Sequence, residues 1–167
     1  MSSSPPRCAL MRTTGRVMRM TTSPPGPPAP RAVLPAGWPR PSGYSQAICV
    51  PEGRDFVFVA GQVGWDQGGR FASKDFVLQF EQALRNCVSI VEAAGGRAAD
   101  IVRLTVFCID CSAYRARLAE VGAAYRRVMG AHYPAMSLVQ VAALVEESAQ
   151  VEIEATAAVP AARGDVR

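Results

Sequence analysis

Two periodicities alternate along residues 42–160, and their order constrains the fold more than any other feature of the chain. Residues 100–110 alternate apolar and polar side chains with the period of two that is typical of a strand. Residues 76–91 instead place apolar side chains three and four positions apart, as an amphipathic helix does. Neither kind of segment buries its apolar side alone, so the sequence predicts a sheet packed against helices.

The elements are predicted in the order β-β-α-β-α-β-β, which is an α+β two-layer domain with two helices on one face of a single sheet. The first helix begins after Ser73, a favourable N-cap, and ends before Gly95. The second helix is predicted over 112–130. The strands are predicted over 44–50, 56–63, 100–110, 135–143 and 149–159. A short turn with Pro51 and Gly53 separates the first two strands, which are predicted to pair as a hairpin.

The sheet face that the helices leave uncovered has a mixed composition. Because successive side chains of a strand point to opposite faces, this face is predicted to carry polar residues beside apolar groups. They are Arg103, Thr105, Gln140, Glu152 and Glu154. Such a face is too apolar for full solvation and too polar for a dry core. The sequence therefore predicts a homo-oligomer that associates through semi-polar interfaces.

Residues 1–41 differ sharply in composition from the rest of the chain. They contain ten of the thirteen prolines and six arginines, and no acidic residue occurs before Glu52. This segment lacks apolar periodicity and is predicted to be disordered, as are residues 161–167. The arginine-rich, acid-free composition is loosely that of a transit peptide, and the alternative is an extension without function. No apolar run approaches the roughly 18 residues that a membrane-spanning helix needs.

The basic character of the chain belongs to its termini. Residues 42–160 contain ten basic and thirteen acidic residues, which gives this range a net charge of −3. They contain no basic stripe with interleaved aromatic side chains, so neither nucleic acid nor a membrane surface is a predicted partner.

Five cysteines include one CxxC pair, Cys108 and Cys111. The chain has no second such pair and no histidine at zinc-binding spacing, which weakens a metal or redox hypothesis. The alternative is that both are reduced thiols, buried or in a loop, and this interpretation predicts a cytoplasmic protein.

Six segments resemble the RidA/YjgF family of reactive-intermediate deaminases in order and spacing. They are GYSQA, FVAGQV, QFEQALRNCVSIVEAAGG, DIVRLTVFCID, YPAMSLVQVAAL and VEIEATA, and they span about 43–160. The resemblance implies a chorismate-mutase-like fold, a homotrimer, and small-molecule clefts between subunits. It also implies hydrolysis of enamines or imines to a carbonyl product and ammonia, without a metal or an organic cofactor.

The same resemblance implies that the usual substrate anchor is replaced. Deaminases of the family have an arginine directly after Pro-Ala, where its guanidinium binds the substrate carboxylate, and this chain has Met136. Leu138 stands where the family often has cysteine, and Ala60 where it often has serine or threonine. All three positions are expected to line the substrate cleft.

Three further residues match site residues of the family. Tyr44 matches the tyrosine that lines the cleft, Gly61 allows close approach of a ligand, and Glu152 matches the glutamate proposed to orient the hydrolytic water. The alternative for Glu152 is a solvated or interface carboxylate paired with Arg103. Trp65 is expected either to stack on a flat ligand at the cleft rim or to cover the sheet edge.

The only histidine, His132, is expected at the surface near a helix end, with a role as catalytic base as the alternative. Taken together, the residues predict a RidA-like hydrolase acting on a small enamine or imine other than ordinary 2-aminoacrylate. The alternative is a trimer of the same family that binds a small ligand without catalysis.

Overall fold

The computed structural model describes residues 27–161, which form six strands and three helices. The strands are β1 (Arg31–Val33), β2 (Ala47–Cys49), β3 (Arg54–Val63), β4 (Ile101–Cys108), β5 (Ala135–Gln140) and β6 (Val151–Pro160). The helices are α1 (Phe76–Ala93), α2 (Cys111–Ala116) and α3 (Leu118–Met129). The mixed α+β class predicted from the sequence is confirmed, and the details of the topology differ.

The main sheet has four strands in the order β3-β6-β4-β5. Strand β6 runs antiparallel to both of its neighbours, while β4 and β5 are parallel. Parallel neighbours need a long crossover connection, and α2 and α3 provide it between β4 and β5. Helix α1 makes the corresponding connection from β3 to β4.

The core lies between this sheet and α1 and α3. Helix α1 contacts β3, β6 and α3. Alternate residues of the central strands point into this layer, and Leu104, Val106, Val151 and Ile153 are almost fully buried. Their neighbours in sequence therefore point to the uncovered face, as the period of two requires.

The N-cap of α1 is Asp75, so the prediction of Ser73 is wrong. The Asp75 carboxylate accepts hydrogen bonds from the backbone N–H groups of Val77 and Leu78, at 3.0 and 3.1 Å. Ser73 lies just outside and accepts from the Asp75 N–H at 3.0 Å. The carboxylate satisfies first-turn donors that have no partner inside the helix, which is why it takes the cap.

The helix predicted over 112–130 is divided into two by a break at Arg117. The backbone of Arg117 leaves helical geometry, with φ −122° and ψ 28°. Its side chain donates to both Asp75 and Glu120, so the break places a guanidinium between the start of α1 and the first turn of α3. Gly130, with φ +62°, ends α3 as predicted.

The predicted hairpin between the first two strands is wrong. Strand β2 pairs antiparallel with β1 in a separate two-stranded sheet, with Arg31 opposite Cys49. Because β1 lies inside the segment 1–41, the prediction that this whole segment is disordered is also wrong for these residues. Residues 1–26 and 162–167 lie outside the part of the chain that the structure describes.

A buried ion pair explains why the chain before β2 packs on the domain. Arg54 Nη1 lies 2.8 Å from Asp100 Oδ1, and both side chains are only 4% exposed. The same guanidinium donates from Nε to the backbone oxygen of Pro28 at 2.9 Å and from Nη1 to that of Ala158 at 2.5 Å. Composition does not reveal these contacts, because each joins residues far apart in sequence.

Gln140 was predicted on the uncovered face, and this is wrong. It pairs with Cys108 in the β4–β5 register, and its Oε1 accepts the Cys111 N–H at 3.1 Å. It therefore caps the turn into α2 instead of extending the polar face. Among residues 27–161, no helix is long and apolar enough to cross a bilayer.

Candidate functional site

A cavity of about 410 Å³ lies between the outer strand β5 and the helices. Met136 and Leu138 form its strand wall. Their register partners are Leu104 and Val106, which point into the helix-covered layer, so both side chains lie on that side of the sheet. Met136 thus lines a cavity on the helix-covered side of the sheet, where it presents a thioether, and its place in a substrate cleft stays a prediction.

The remaining walls of this cavity are mainly aromatic. The rings of Tyr125 and Tyr133 stack with centroids 5.2 Å apart and an interplanar angle of 5°. The Tyr125 hydroxyl donates to the backbone oxygen of His132 at 2.8 Å, and burial raises the pKa of Tyr125 well above its usual value. Tyr114 also lines the cavity, and desolvation raises its pKa in the same way. These phenols stay protonated at neutral pH and act only as neutral groups.

One charged side chain lines the cavity, and it was not identified from the sequence. Arg126 stands on α3, where it lines the cavity with its side chain exposed, and Gly122 lies one turn before it. Both continue the four-residue spacing of Tyr114 and Leu118, which also line the cavity. That spacing is the signal that could have placed them on the cavity side.

Tyr44 lies in a neighbouring depression of about 300 Å³ that also includes Arg40. Tyr133 lines both spaces and stands between them. Ser45 fastens the Tyr44 segment to the start of β5, because its N–H donates to Pro134 O at 2.9 Å and its hydroxyl to Tyr133 O at 2.6 Å. Tyr44 is therefore close to the Met136 cavity without lining it.

Glu152 and Gly61 lie together on the uncovered side of the sheet. A Cβ atom at Gly61 would stand 1.7 Å from Glu152 Oε1, so the carboxylate rests directly against the glycine backbone. A register shift between Val59 and Gln62 places Gly61 in an irregular stretch of β3. Only glycine leaves room for the carboxylate there.

Ala60 lines a shallow depression of about 450 Å³ on the same uncovered side. Arg103, Thr105 and Glu154 line it too, and the exposed ring of Phe58 forms part of its rim. Within residues 27–161 the ion pairs include neither Arg103 nor Glu152 nor Glu154. The pairing of Glu152 with Arg103 that sequence analysis left open is not made inside one chain.

Trp65 packs against Phe71 in the loop after β3, with ring centroids 6.2 Å apart. Asn86 of α1 donates to the Trp65 backbone oxygen at 3.0 Å, which holds the loop on the helix. Trp65 lines neither the Met136 cavity nor the Ala60 depression. Within one chain the indole therefore packs against its own loop, and both predicted roles of Trp65 stay predictions.

His132 is half-buried, and its Nε2 lies 2.7 Å from the backbone oxygen of Ile101. This contact ties the end of the α3 segment to the start of β4. The contact involves only Nε2, so the catalytic alternative stays a prediction, and the side chain is less exposed than predicted.

The CxxC sulfurs lie 3.1 Å apart, and both cysteines are free thiols. Burial raises the pKa of Cys108 to about 12, which disfavours the thiolate that metal binding and thiol exchange need. In the described range no group of three or more His, Cys, Asp or Glu side chains could hold a metal ion.

The predicted site residues thus fall on two surfaces of one chain. Met136 and Leu138 line the helix-side cavity, with Tyr44 beside it. Glu152, Gly61 and Ala60 lie on the opposite side of the sheet. One chain alone does not bring the carboxylate to the cavity.

Comparison with known proteins gives consistent matches across the folded range. The family model described as Endoribonuclease L-PSP matches residues 39–159. Human 2-iminobutanoate/2-iminopropanoate deaminase is 33% identical over 115 residues, covering 68% of this chain and 78% of the human protein.

Two solved structures resemble this chain in sequence as well as in fold. A Rid-family protein, YyfB from Yersinia pestis, has a TM-score of 0.69 at 31% identity, covering 78% of this chain and 98% of the other. E. coli TdcF with bound serine has a TM-score of 0.54 at 34% identity, covering 78% and 92%. With a family model that spans most of the chain and relatives above 30% identity, the chain belongs to the Endoribonuclease L-PSP family, which is the RidA/YjgF family that its motifs resemble.

Proposed function

We propose that this protein is a RidA-like hydrolase that converts a small enamine or imine to a carbonyl product and ammonia. The observation that carries the proposal is the identity to an imine deaminase across the folded range. Retention of Tyr44, Gly61 and Glu152 supports it, because these are the positions at which the family resemblance places the substrate and the water. The carboxylate resting on Gly61 gives the proposed water-orienting group a fixed position.

A homotrimer would complete the site. The Met136 cavity and Glu152 lie on opposite sides of the sheet, so a cleft containing both needs residues from two copies. The uncovered side suits burial against another copy, because Phe58 is 80% exposed and Phe56 is 55% exposed. In this arrangement the cavity of one subunit faces the Glu152 side of its neighbour.

The reaction requires mainly that the protein position the water and the substrate and transfer protons. Water adds to the carbon of the C=N bond, and Glu152 accepts the proton that this water loses. Glu152 then delivers this proton to the nitrogen, which gives a neutral carbinolamine. The carbinolamine hydroxyl loses its proton as the C=O bond forms, the nitrogen gains that proton, and the C–N bond breaks to release ammonia. Holding water and substrate together supplies the catalytic advantage, so no metal or organic cofactor is needed.

Met136 restricts the substrate. A thioether has no charge and donates no hydrogen bond, so the charge-assisted contact that an arginine makes is absent at this position, a loss of about 1.5–3 kcal/mol. Leu138 adds a second apolar group on the same wall. We therefore propose that ordinary 2-aminoacrylate is a poor substrate and that a larger, less polar imine is preferred.

The alternative is a trimer that binds a small ligand in the same clefts without catalysis. Three apolar side chains at positions where relatives are often polar, Met136, Leu138 and Ala60, favour this alternative. It predicts ligand binding without ammonia release, which distinguishes it from the hydrolase.

The charge of the folded range also bears on partners and location. Residues 42–160 have a net charge of −3, so despite the family description we propose a small-molecule ligand and not nucleic acid. Four cysteines in the described range are free thiols, which suits the reducing cytoplasm that we propose.

Ammonia release from imines generated in situ tests the proposal. We expect little release from 2-iminopropionate, a clear gain in Met136→Arg, and loss of turnover with every imine in Glu152→Gln. Rapid turnover of 2-iminopropionate by the unmodified protein would show that Met136 does not restrict the substrate. Absence of turnover with a panel of apolar imines would favour the binding alternative.

A further inference from the structure

We propose that Arg126 binds the acidic group of the substrate. It would thereby take over the role of the family arginine, whose position is occupied by Met136 in this chain. This inference rests on the proposed function and specifies its substrate class. It places the anion-binding group on helix α3 instead of strand β5. The cavity that contains Met136 is then not an apolar pocket throughout, since a guanidinium stands at one wall.

The electrostatic setting of Arg126 is the first support. Among residues 27–161, the ion pairs of this helix involve Arg117 and Arg127. The Arg126 side chain takes part in none of them. The next residue, Arg127, pairs with Glu81 through Nη2 and Oε2 at 2.5 Å. Arg117 is engaged by Asp75 and Glu120, so the nearby carboxylates of α1 and α3 already have partners. Arg126 is exposed in one chain and lines the cavity, so its guanidinium is accessible to an anion that enters the cavity.

Gly122 is the second, independent support. A Cβ atom at Gly122 would lie 3.3 Å from Arg126 Nη1, so the guanidinium folds back over this glycine at the cavity wall. Gly122 lacks the positive φ that makes glycine necessary at turns, since the glycines with positive φ in the described chain do not include it. A glycine inside a helix destabilises it relative to alanine. At Gly122 a methyl group would move the guanidinium by a few tenths of an ångström, so the glycine lets the guanidinium lie closer to the helix.

The positions of these groups define the ligand. Arg126 lines the cavity from helix α3, and Met136 and Leu138 line it from strand β5. The stacked rings of Tyr125 and Tyr133 line it too. A carboxylate bound at Arg126 therefore directs the rest of the molecule across an apolar, aromatic-lined space. The fitting substrate is the imine of a 2-oxo acid with a branched aliphatic or aromatic side chain, and not one with a methyl group.

Binding of a stable product-like acid tests the inference without relying on catalysis. The probe is 2-oxo-4-methylpentanoate, with its neutral methyl ester for comparison, titrated calorimetrically into the full chain. We expect Arg126→Ala to weaken binding of the acid about ten- to hundredfold, the size of a lost charge-assisted contact, and to leave the ester unchanged. Arg126→Lys should lose less, because it keeps the charge but not the bidentate geometry.

Two other arginines serve as matched controls. Arg127→Ala removes a guanidinium of the same helix that does not line the cavity, and it should leave binding of the acid within about twofold. Arg40→Ala tests the depression beside Tyr44. Loss of binding in Arg40→Ala alone would overturn the assignment to Arg126, as would equal affinity of Arg126→Ala and the unmodified protein, or no binding of the acid by the unmodified protein.

Gly122→Ala separates a ligand-binding role from a purely structural one. The added methyl group should raise Tm by about 2 °C, because it removes backbone freedom from the unfolded chain. It should also weaken binding of the acid by displacing the guanidinium. A higher Tm with unchanged affinity would contradict the inference.

Ammonia release from imines of leucine and alanine, produced by an amino acid oxidase, keeps the two proposals apart. Binding that depends on Arg126 without hydrolysis of either imine would support this inference and contradict the hydrolase. Hydrolysis with the same kcat/KM in Arg126→Ala would support the hydrolase and contradict this inference. We expect hydrolysis of the leucine imine and a raised KM in Arg126→Ala.

Discussion

The two sides of the four-stranded sheet use the same strands for different purposes. On the helix-covered side, Leu104 is 1% exposed and lies in a continuous apolar core that ends at the Met136 cavity. On the other side, Phe58 is 80% exposed and stands beside Thr105 and Glu154. The covered side is complete within one chain. On the uncovered side, the ion pairs within residues 27–161 include none of Arg103, Glu152 and Glu154.

The difference indicates how the site is built. A cavity needs walls from several packed elements, so it forms on the covered side, where the helices meet the sheet edge. The Glu152 carboxylate lies on the uncovered side against Gly61, where the proposed trimer would cover it. If both belong to one reaction, the subunits must associate.

Truncation of neighbouring residues on β4 should show the largest contrast. We expect Leu104→Ala to lower the free energy of unfolding by about 2–5 kcal/mol, because it opens a cavity in the core. Thr105→Ala, one position away on the uncovered side, should cost under about 1 kcal/mol. Urea denaturation of both variants measures this contrast, and equal losses would show that the two sides are equally buried.

A charge on the uncovered side should disrupt association. Phe58→Glu would bury a carboxylate at each interface, and unpaired buried charges cost several kcal/mol. We expect the mass measured by light scattering to fall from that of a trimer to that of a monomer. Leu78→Glu, on an exposed part of α1, is the control and should leave the mass unchanged. A trimer that survives Phe58→Glu would place the interface elsewhere.

Gly61→Ala should impair the reaction more than the fold. Its Cβ would stand 1.7 Å from Glu152 Oε1, so the carboxylate must move, and displacement of a catalytic group by about 1 Å can cost a hundredfold in rate. We expect kcat to fall about 10- to 100-fold on the preferred imine, as measured by ammonia release. Combining it with Glu152→Gln should add little, and additive losses would separate the two residues.

The smallest expected effect is a dependence of stability on pH at the covering helices. The hydrogen bond from Arg127 holds the pKa of Glu81 below its usual 4.5, with burial opposing this and Arg85 adding to it. Because the folded-state pKa is the lower one, this contribution to stability is present above about pH 4.5 and is lost as the pH falls through the folded-state value. In urea denaturation, Glu81→Gln should therefore have a lower free energy of unfolding than the unmodified protein at pH 7. This difference should shrink as the pH falls below about 4.5. A difference that does not change with pH would rule out the ion pair as its cause.

Local patterns predicted the elements that depend on neighbouring residues. The strand at 56–63 and the helix ending before Gly95 match β3 and α1 closely, because side-chain period and glycine conformation are set within a few residues. The break at Arg117 was missed, since the side-chain contact to Asp75 that accompanies it spans 42 positions. The same limit applies to β2, whose partner β1 lies in a segment where composition favours disorder.

By itself the sequence determined the α+β class, the family and the methionine at the position of the family arginine. Only the tertiary structure decided that Met136 and Glu152 lie on opposite sides of one sheet and that Arg126 lines the same cavity as Met136. The physical reason is that periodicity specifies which face of its own element a side chain occupies. Which side chains of different elements line one cavity depends instead on how elements that are distant in the chain pack together.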